Sequence, residues 1–191
     1  MKIAITGGIG SGKSYVCRLL NQRGIEIYDC DAAAKRLMRD SLSLRRQLTA
    51  LIGMEAYTAE GLLNKAAVAQ FLLQSDTNAK AIDSIVHPAV AADFRQSGMQ
   101  WMECAILFES GFDSLVDCAI VVTAPEDIRI KRIMQRDGIT AAKAREWLSR
   151  QWPQDKVRLL ADYEIVNDGT TNLGQQIEKT LKLIGPNFDI S

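Results

Sequence analysis

An α/β fold built on a parallel five-stranded sheet is predicted for this chain by three observations. Short apolar runs such as Ala119-Ile120-Val121-Val122 are continuous, without the polar alternation of a strand that has one face in water. Such runs mark strands covered on both faces. They alternate with stretches of helical periodicity, which is the order of βα units joined by crossover helices. The stretch from about 40 to 97 is helical throughout and too long for one crossover, so it predicts an inserted helical subdomain.

Taken in order, the first strand runs from Ile3 to Thr6 and is followed by glycines and a helix from Ser14 to Gln22. The second strand, Ile25 to Tyr28, leads into four helical segments: Ala32 to Arg39, Leu44 to Ile52, Lys65 to Leu73 and Asn78 to Gln96. The third strand is expected over Trp101 to Phe108 and the fourth over Cys118 to Thr123. Helices from Glu126 to Gln135 and Ala141 to Gln151 come next, then a short fifth strand, Glu164 to Val166, and a helix from Asn172 to Ile184. Prolines occur at Pro88, Pro125, Pro153 and Pro186, each near an expected boundary. This places a core at about 1–39, 98–135 and 162–191, the inserted subdomain at about 40–97 and a helical lid at about 136–161 of one domain.

The 191 residues are 47% hydrophobic and 24% charged, with 23 basic and 23 acidic side chains. That composition excludes a disordered chain. It also lacks the basic footprint of a dedicated nucleic-acid binder. Cys17, Cys30, Cys104 and Cys118 form no C-x-x-C pair, and His87 is the one histidine, so a zinc site is not expected. Cys17, Cys104 and Cys118 stand in apolar surroundings and read as small buried thiols. No signal-peptide pattern or membrane-spanning run is present. A cytoplasmic protein, monomeric or weakly self-associating, is expected.

Gly7-Gly8-Ile9-Gly10-Ser11-Gly12-Lys13-Ser14 matches G-x-x-x-x-G-K-[ST] between a strand and a helix, the context that gives the motif meaning. Gly8, Gly10 and Gly12 leave room for a tight backbone. Its N–H groups turn inward and, with the helix N-terminus, hold phosphate oxygens. Lys13 is expected at the β- and γ-phosphates and Ser14 on Mg2+, with ATP as the nucleotide. The fold is therefore predicted to be of the P-loop nucleoside-triphosphate hydrolase type. Asn64-Lys65-Ala66-Ala67 lacks the aspartate of a guanine-reading N-K-x-D. The chain size, the inserted helices and an arginine-rich segment point instead to a small-molecule kinase.

Ligands gather at the carboxyl ends of strands in open parallel sheets, and Asp29-Cys30-Asp31 follows the second strand. A kinase needs a carboxylate to orient and deprotonate its acceptor hydroxyl. Asp31 is the candidate base, with Asp29 as its support or as a water-mediated Mg2+ contact; the alternative is that Asp31 only caps the following helix. Glu109, at the expected tip of the third strand, is a candidate for the surroundings of Mg2+ or the acceptor, or a solvated strand end. Arg129, Lys131, Arg132, Arg136, Lys143, Arg145, Arg150, Lys156 and Arg158 crowd one stretch. Guanidinium groups folded over a nucleotide stabilise the charge of a transferring phosphoryl group. Arg132 and Arg136 are four apart on one helix face, and Asp137-Gly138 ends that helix as a hinge candidate.

These residues resemble the dephospho-CoA kinase family. The resemblance runs from Lys2 to about Leu183. It rests on Thr6 through Ser14, Asp29-Cys30-Asp31, His87-Pro88, Leu107-Phe108-Glu109, Arg132 through Gly138, Gln151 and Asn167-Asp168-Gly169. It implies transfer of the γ-phosphoryl group of ATP to the ribose 3′-hydroxyl of dephospho-CoA, the last step of coenzyme A synthesis. It further implies that residues 9–14 and Arg132 bind ATP and that Asn167 lies near its adenine. Asp31 would be the acceptor-side base, Arg136 would belong to the lid, and the inserted helices carrying His87 would receive dephospho-CoA. Read alone, a histidine before a proline is more often structural. The sequence departs from the family pattern at Ala105, Ile106, Lys35 and Lys65, at Arg129 where glutamine is usual, and at Trp147 where arginine is usual. Arg145 and Arg150 are the candidates to replace the last of these. A kinase of another small molecule, such as a nucleoside monophosphate, and a slow nucleotide-hydrolysing switch are the competing readings.

Overall fold

A computed structural model describes residues 1–185 of the chain. Pro186, and the last part of the core expected to reach 191, lie outside the described residues. The central strand β1 (Ile3–Thr6) pairs in parallel with β3 (Trp101–Glu103) on one side and β4 (Cys118–Thr123) on the other. β4 pairs in parallel with β5 (Tyr163–Val166). With β2 (Ile27–Asp29) at the far edge, the five-stranded order is β2-β3-β1-β4-β5. Every residue of β1 and of β4 is buried, which is why their sequences are apolar without alternation.

The chain divides into two compact units. The first comprises Met1–Tyr28 and the chain from Met99 onward. Its helices are α1 (Lys13–Asn21), α6 (Glu126–Asp137), α7 (Ala141–Ser149), α8 (Gln154–Leu160) and α9 (Leu173–Ile184). Val16, Cys17 and Leu20 of α1 and Ile177 and Leu181 of α9 pack on Ile3, Ile5, Ile120, Val122 and Ile165 of the sheet. Each such fully buried aliphatic side chain contributes roughly 1.5–3 kcal/mol. α8 lies against β4.

The second unit is Asp29–Gly98, with α2 (Cys30–Asp40), α3 (Leu42–Ile52), α4 (Lys65–Gln74) and α5 (Asp76–Ser97). α5 is its axis, touched by the other three. Ile82, Val86, Val90, Ala91 and Phe94 form its buried stripe. α2 groups with this unit because it packs on α5 and α3. Asp29, Ser41, Asn64, Ser75, Thr140 and Asn172 each accept a backbone N–H three residues on, and so cap α2, α3, α4, α5, α7 and α9.

Three local expectations are corrected. β3 stops at Glu103 instead of continuing to Phe108. Beyond it the chain turns, with Ser110 N–H on the Ile106 carbonyl and Phe112 N–H on that of Leu107. Leu107 is wholly buried in that turn, so the apolar run reflects burial and not strand. Pro88 lies inside α5 and marks no boundary; the buried stripe on both sides of it offsets the missing N–H bond. α8 was not expected, because it has a single buried residue, Val157, and hence no apolar period. Pro125 and Pro153 stand immediately before α6 and α8, as boundary residues should. Among the described residues no helix is long and apolar enough to cross a membrane.

Candidate active site

Residues 7–12 form the loop from β1 into α1. Gly10 and Gly12 have φ of 80° and 89°, values at which a side chain is strained. Space is also short. A Cβ at Gly10 would lie 2.7 Å from the Arg129 carbonyl oxygen, and one at Gly12 would collide with Asn167 Nδ2. The loop thus takes its shape with other chain segments packed directly against it.

Two networks hold it. On one side Arg132 of α6 donates through Nη1 to the carbonyls of Gly10 and Ser11, at 3.3 and 3.2 Å. Its Nη2 donates to the backbone and side-chain oxygens of Asn167, both at 3.1 Å. Asn167 closes the triangle, its Nδ2 donating to the Ser11 carbonyl at 2.9 Å. Asp168 accepts the N–H groups of Thr170 and Thr171 and the Thr171 hydroxyl; these bonds hold its carboxyl far below the usual carboxylate range. On the other side the Ile9 N–H donates to Gln151 Oε1 at 2.8 Å. The Ile9 side chain packs on the cluster of Ile130, Ile133 and Ala144, which Trp147 also joins.

Lys13 and Ser14 meet on one carboxylate. Lys13 Nζ lies 2.5 Å from Glu103 Oε1, and Ser14 Oγ donates to the same oxygen at 2.7 Å. The Lys13 and Glu103 side chains are 12% and 14% exposed, so the pair is well shielded from water. Burial pushes the Glu103 carboxyl up, but Lys13, by charge and hydrogen bond, together with Ser14 and Cys17, brings it below the ordinary value. Glu103 comes into place because β3 adjoins β1 and its residue 103 is level with Ile5, just before the loop. It was absent from the residues expected from sequence. Its signal was an acid inside the apolar run Trp101 to Phe108, in the strand next to the phosphate loop.

The other expected residues fall as follows. Asp29 is the N-cap of α2, its Oδ1 accepting the Ala32 N–H at 2.9 Å. The cap is therefore Asp29 and not Asp31, which stands exposed in the first turn. His87 lies in α5, with Nε2 3.5 Å from Asp83 Oδ1. Both Asp31 and His87 belong to the second unit. Glu109 lies in the turn after β3 and accepts the Trp152 N–H at 3.3 Å. Arg136 points into solvent, with its side chain 62% exposed and bonded to Asp137. Arg150 pairs with Glu146 at 2.5 Å. The structure thus gathers Gly8 through Ser14, Arg132 and Asn167 around the loop. Arg136 is bonded to Asp137 instead.

A strand–loop–helix phosphate cradle of this build agrees with the outcome of comparison with known proteins. The family model for dephospho-CoA kinase matches residues 1–172. The chain belongs to the dephospho-CoA kinase family. A dephospho-CoA kinase of Porphyromonas gingivalis is 40% identical over 189 residues, covering 95% of this chain and 93% of the relative. One of Bacteroides fragilis is 37% identical over 184 residues, covering 93% and 89%. A crystal structure of a Thermus thermophilus protein superposes with a TM-score of 0.80 at 28% identity, over 96% of this chain and 95% of that one. Dephospho-CoA kinase from Campylobacter jejuni, at TM-score 0.64 and 21% identity over 96% of both chains, shares the fold. So does a shikimate kinase from Acinetobacter baumannii, at 0.56 and 16% over 96% and 92%. As a dephospho-CoA kinase family member the chain is an ATP-dependent kinase of coenzyme A biosynthesis.

Proposed function

We propose that this chain transfers the γ-phosphoryl group of ATP to the ribose 3′-hydroxyl of dephospho-CoA, in the cytoplasm, with Asp31 as the base. The observation that carries the reading is the pairing of Lys13 and Ser14 on Glu103 at the foot of the phosphate loop. The chemistry needs a new bond from the acceptor oxygen to phosphorus and cleavage of the bond from phosphorus to the β-phosphate oxygen. The hydroxyl proton passes to the Asp31 carboxylate. That carboxylate is exposed at the start of α2 and is not spent on capping, which Asp29 does. The backbone N–H groups of residues 9–14 and the Lys13 ammonium bind the triphosphate. Arg132 and Asn167 keep the loop in shape beneath it, and Asn167 borders the adenine side.

The donor set at the loop fits Mg2+. Ser14 supplies a hydroxyl and Glu103 an anionic carboxylate beside it, hard oxygen ligands of the kind Mg2+ takes. Mg2+ keeps several waters and binds substrate phosphates, so one or two protein oxygens suffice. Among the described residues no cluster of three acidic, cysteine or histidine side chains is placed for a metal. When bound, the ion would neutralise charge on the phosphate oxygens. Arg136 follows the rest of α6 up to Gly138, whose φ of 66° ends the helix. We assign residues 136–161 to a lid that turns there and brings Arg136 toward the phosphates, and residues 40–97, with His87, to acceptor binding.

An acceptor panel tests the proposal. ADP release is measured with dephospho-CoA, AMP, CMP, UMP and water alone. Rapid release with dephospho-CoA, and little with the others, is expected. Release with a monophosphate and not with dephospho-CoA would overturn it in favour of a nucleoside monophosphate kinase.

A further inference from the structure

Arg129 is buried to 8% exposure on α6, directly against the phosphate loop. Its Nε donates to the Ile9 carbonyl at 3.0 Å. Its Nη2 occupies the space a side chain at Gly8 would need. Neither Nη1 nor Nη2 has a hydrogen-bond acceptor among the described residues. Among the described residues Arg129 makes no ion pair. Glu109 and Gln151 line the same cleft, but Glu109 is bonded to the Trp152 N–H and Gln151 to the Ile9 N–H. Glu126, one turn earlier on α6, is the acid whose charge acts on the guanidinium, and burial lowers its proton affinity all the same.

A cation removed from water is costly unless an anion meets it. Here an always-charged group is largely buried against a phosphate-binding loop, with one bond spent on that loop and its fork left over at the water-facing edge, since among the described residues Ser11 Oγ is the one fully buried side-chain polar atom without a partner. A structural clamp on Ile9 needs one donor, which an uncharged side chain also supplies. The surplus donors face Gly8 and Ile9, the entry half of the loop. Residues Gly10 to Ser14 lead into the helix N-terminus, whose N–H groups serve the α- and β-phosphates. The entry half therefore borders the terminal phosphate.

We propose that Arg129 is a catalytic residue of this chain, clamping Ile9 through Nε and binding the γ-phosphate of ATP through its Nη atoms. Three other lid-side cations are directed elsewhere, and Arg145 is exposed on α7. Arg132 is spent on loop carbonyls, Arg136 on Asp137 and Arg150 on Glu146. Trp147 packs into the α6–α7 cluster and carries no charge. The assignment rests on the kinase reading above.

The test compares binding of the β,γ-imido analogue of ATP with binding of ADP, by titration calorimetry with Mg2+ on the full chain. Arg129→Gln keeps a donor for the Ile9 carbonyl and removes the charge. It is expected to weaken the triphosphate analogue roughly 10–100-fold, the range for a charged hydrogen-bonding group, while ADP affinity stays nearly constant. Arg129→Lys keeps the charge without the fork, and its preference for the triphosphate should fall between those of wild type and Arg129→Gln. If either variant loses both affinities by one common factor, or neither affinity changes, the proposal is overturned. Arg129→Lys alone decides the matter if the glutamine variant does not fold. Neither measurement uses the acceptor, so failure of the kinase reading would show separately, as wild type inert toward dephospho-CoA.

Discussion

Replacing Glu103 by Gln removes the charge against which Lys13 rests. The Glu103 carboxyl lies below its unfolded value of about 4.3. A depressed carboxyl contributes stability that is present above the unfolded value and is lost as pH falls through the folded one. Urea unfolding of wild type should therefore show a loss on acidification below about pH 5 that is smaller in Glu103→Gln, which has already lost it. Turnover should also fall on the order of 10–100-fold in this variant, with a higher Mg2+ requirement, as when a group orienting a metal ligand is removed. Asp31→Asn belongs to the same scale. It should lower kcat by about 10²–10⁴ while calorimetry still records ATP binding, the range for loss of a general base; unchanged turnover would leave Asp31 without a chemical role. Both residues are acids near strand ends, but sequence pointed to only one of them. Asp31 stands in the pattern Asp29-Cys30-Asp31 after a clear strand. Glu103 is a single acid inside an apolar run, and only the adjacency of β3 to β1 makes it a partner of Lys13.

At the scale of elements, α6 supports the phosphate loop from outside it. Arg132 connects α6 to the carbonyls of Gly10 and Ser11 and to Asn167 after β5. Arg132→Ala should cost about 1.5–3 kcal/mol, the value of hydrogen bonds from a charged group. It should also weaken ADP, because the loop loses its fixed shape. Urea denaturation and nucleotide titration check the two parts, and a stability loss with unchanged ADP affinity would mean that the loop keeps its shape without Arg132. Helical spacing did place Arg132 and Arg136 on one face, but spacing says nothing of what that face meets. Arg132 meets the loop, and Arg136, one turn on, meets water. The same limit applies to β3, where apolar residues continue past Glu103 because Leu107 is buried in a turn.

For the molecule as a whole, the buried cysteines report the integrity of the fold. All four are buried and none forms a disulfide among the described residues, including Cys30, which the surrounding sequence did not mark as apolar. The Cys118 thiol is pushed up to about 11 by burial and then by the charge and hydrogen bond of Asp162. Its reactive thiolate is scarce at neutral pH. Iodoacetamide at pH 8, followed by mass spectrometry, should leave Cys118 unmodified in the native chain and label all four thiols after unfolding in urea. Rapid native labelling of Cys118 would contradict its burial.

Sequence by itself determined the sheet class, the phosphate loop with its flanking strand and helix, and most of the helices. Each of these is encoded in residues a few positions apart, through side-chain periodicity or glycine-permitted backbone. The family resemblance was carried by the same local motifs. Tertiary structure alone decided that β3 lies beside β1, that Glu103 therefore receives Lys13 and Ser14, and that Arg129 and Arg132 of one helix hold successive carbonyls of one loop. Those contacts join residues about 90 to 120 positions apart. Their energy depends on strand order and on exclusion of water, and no local pattern in a single chain encodes either.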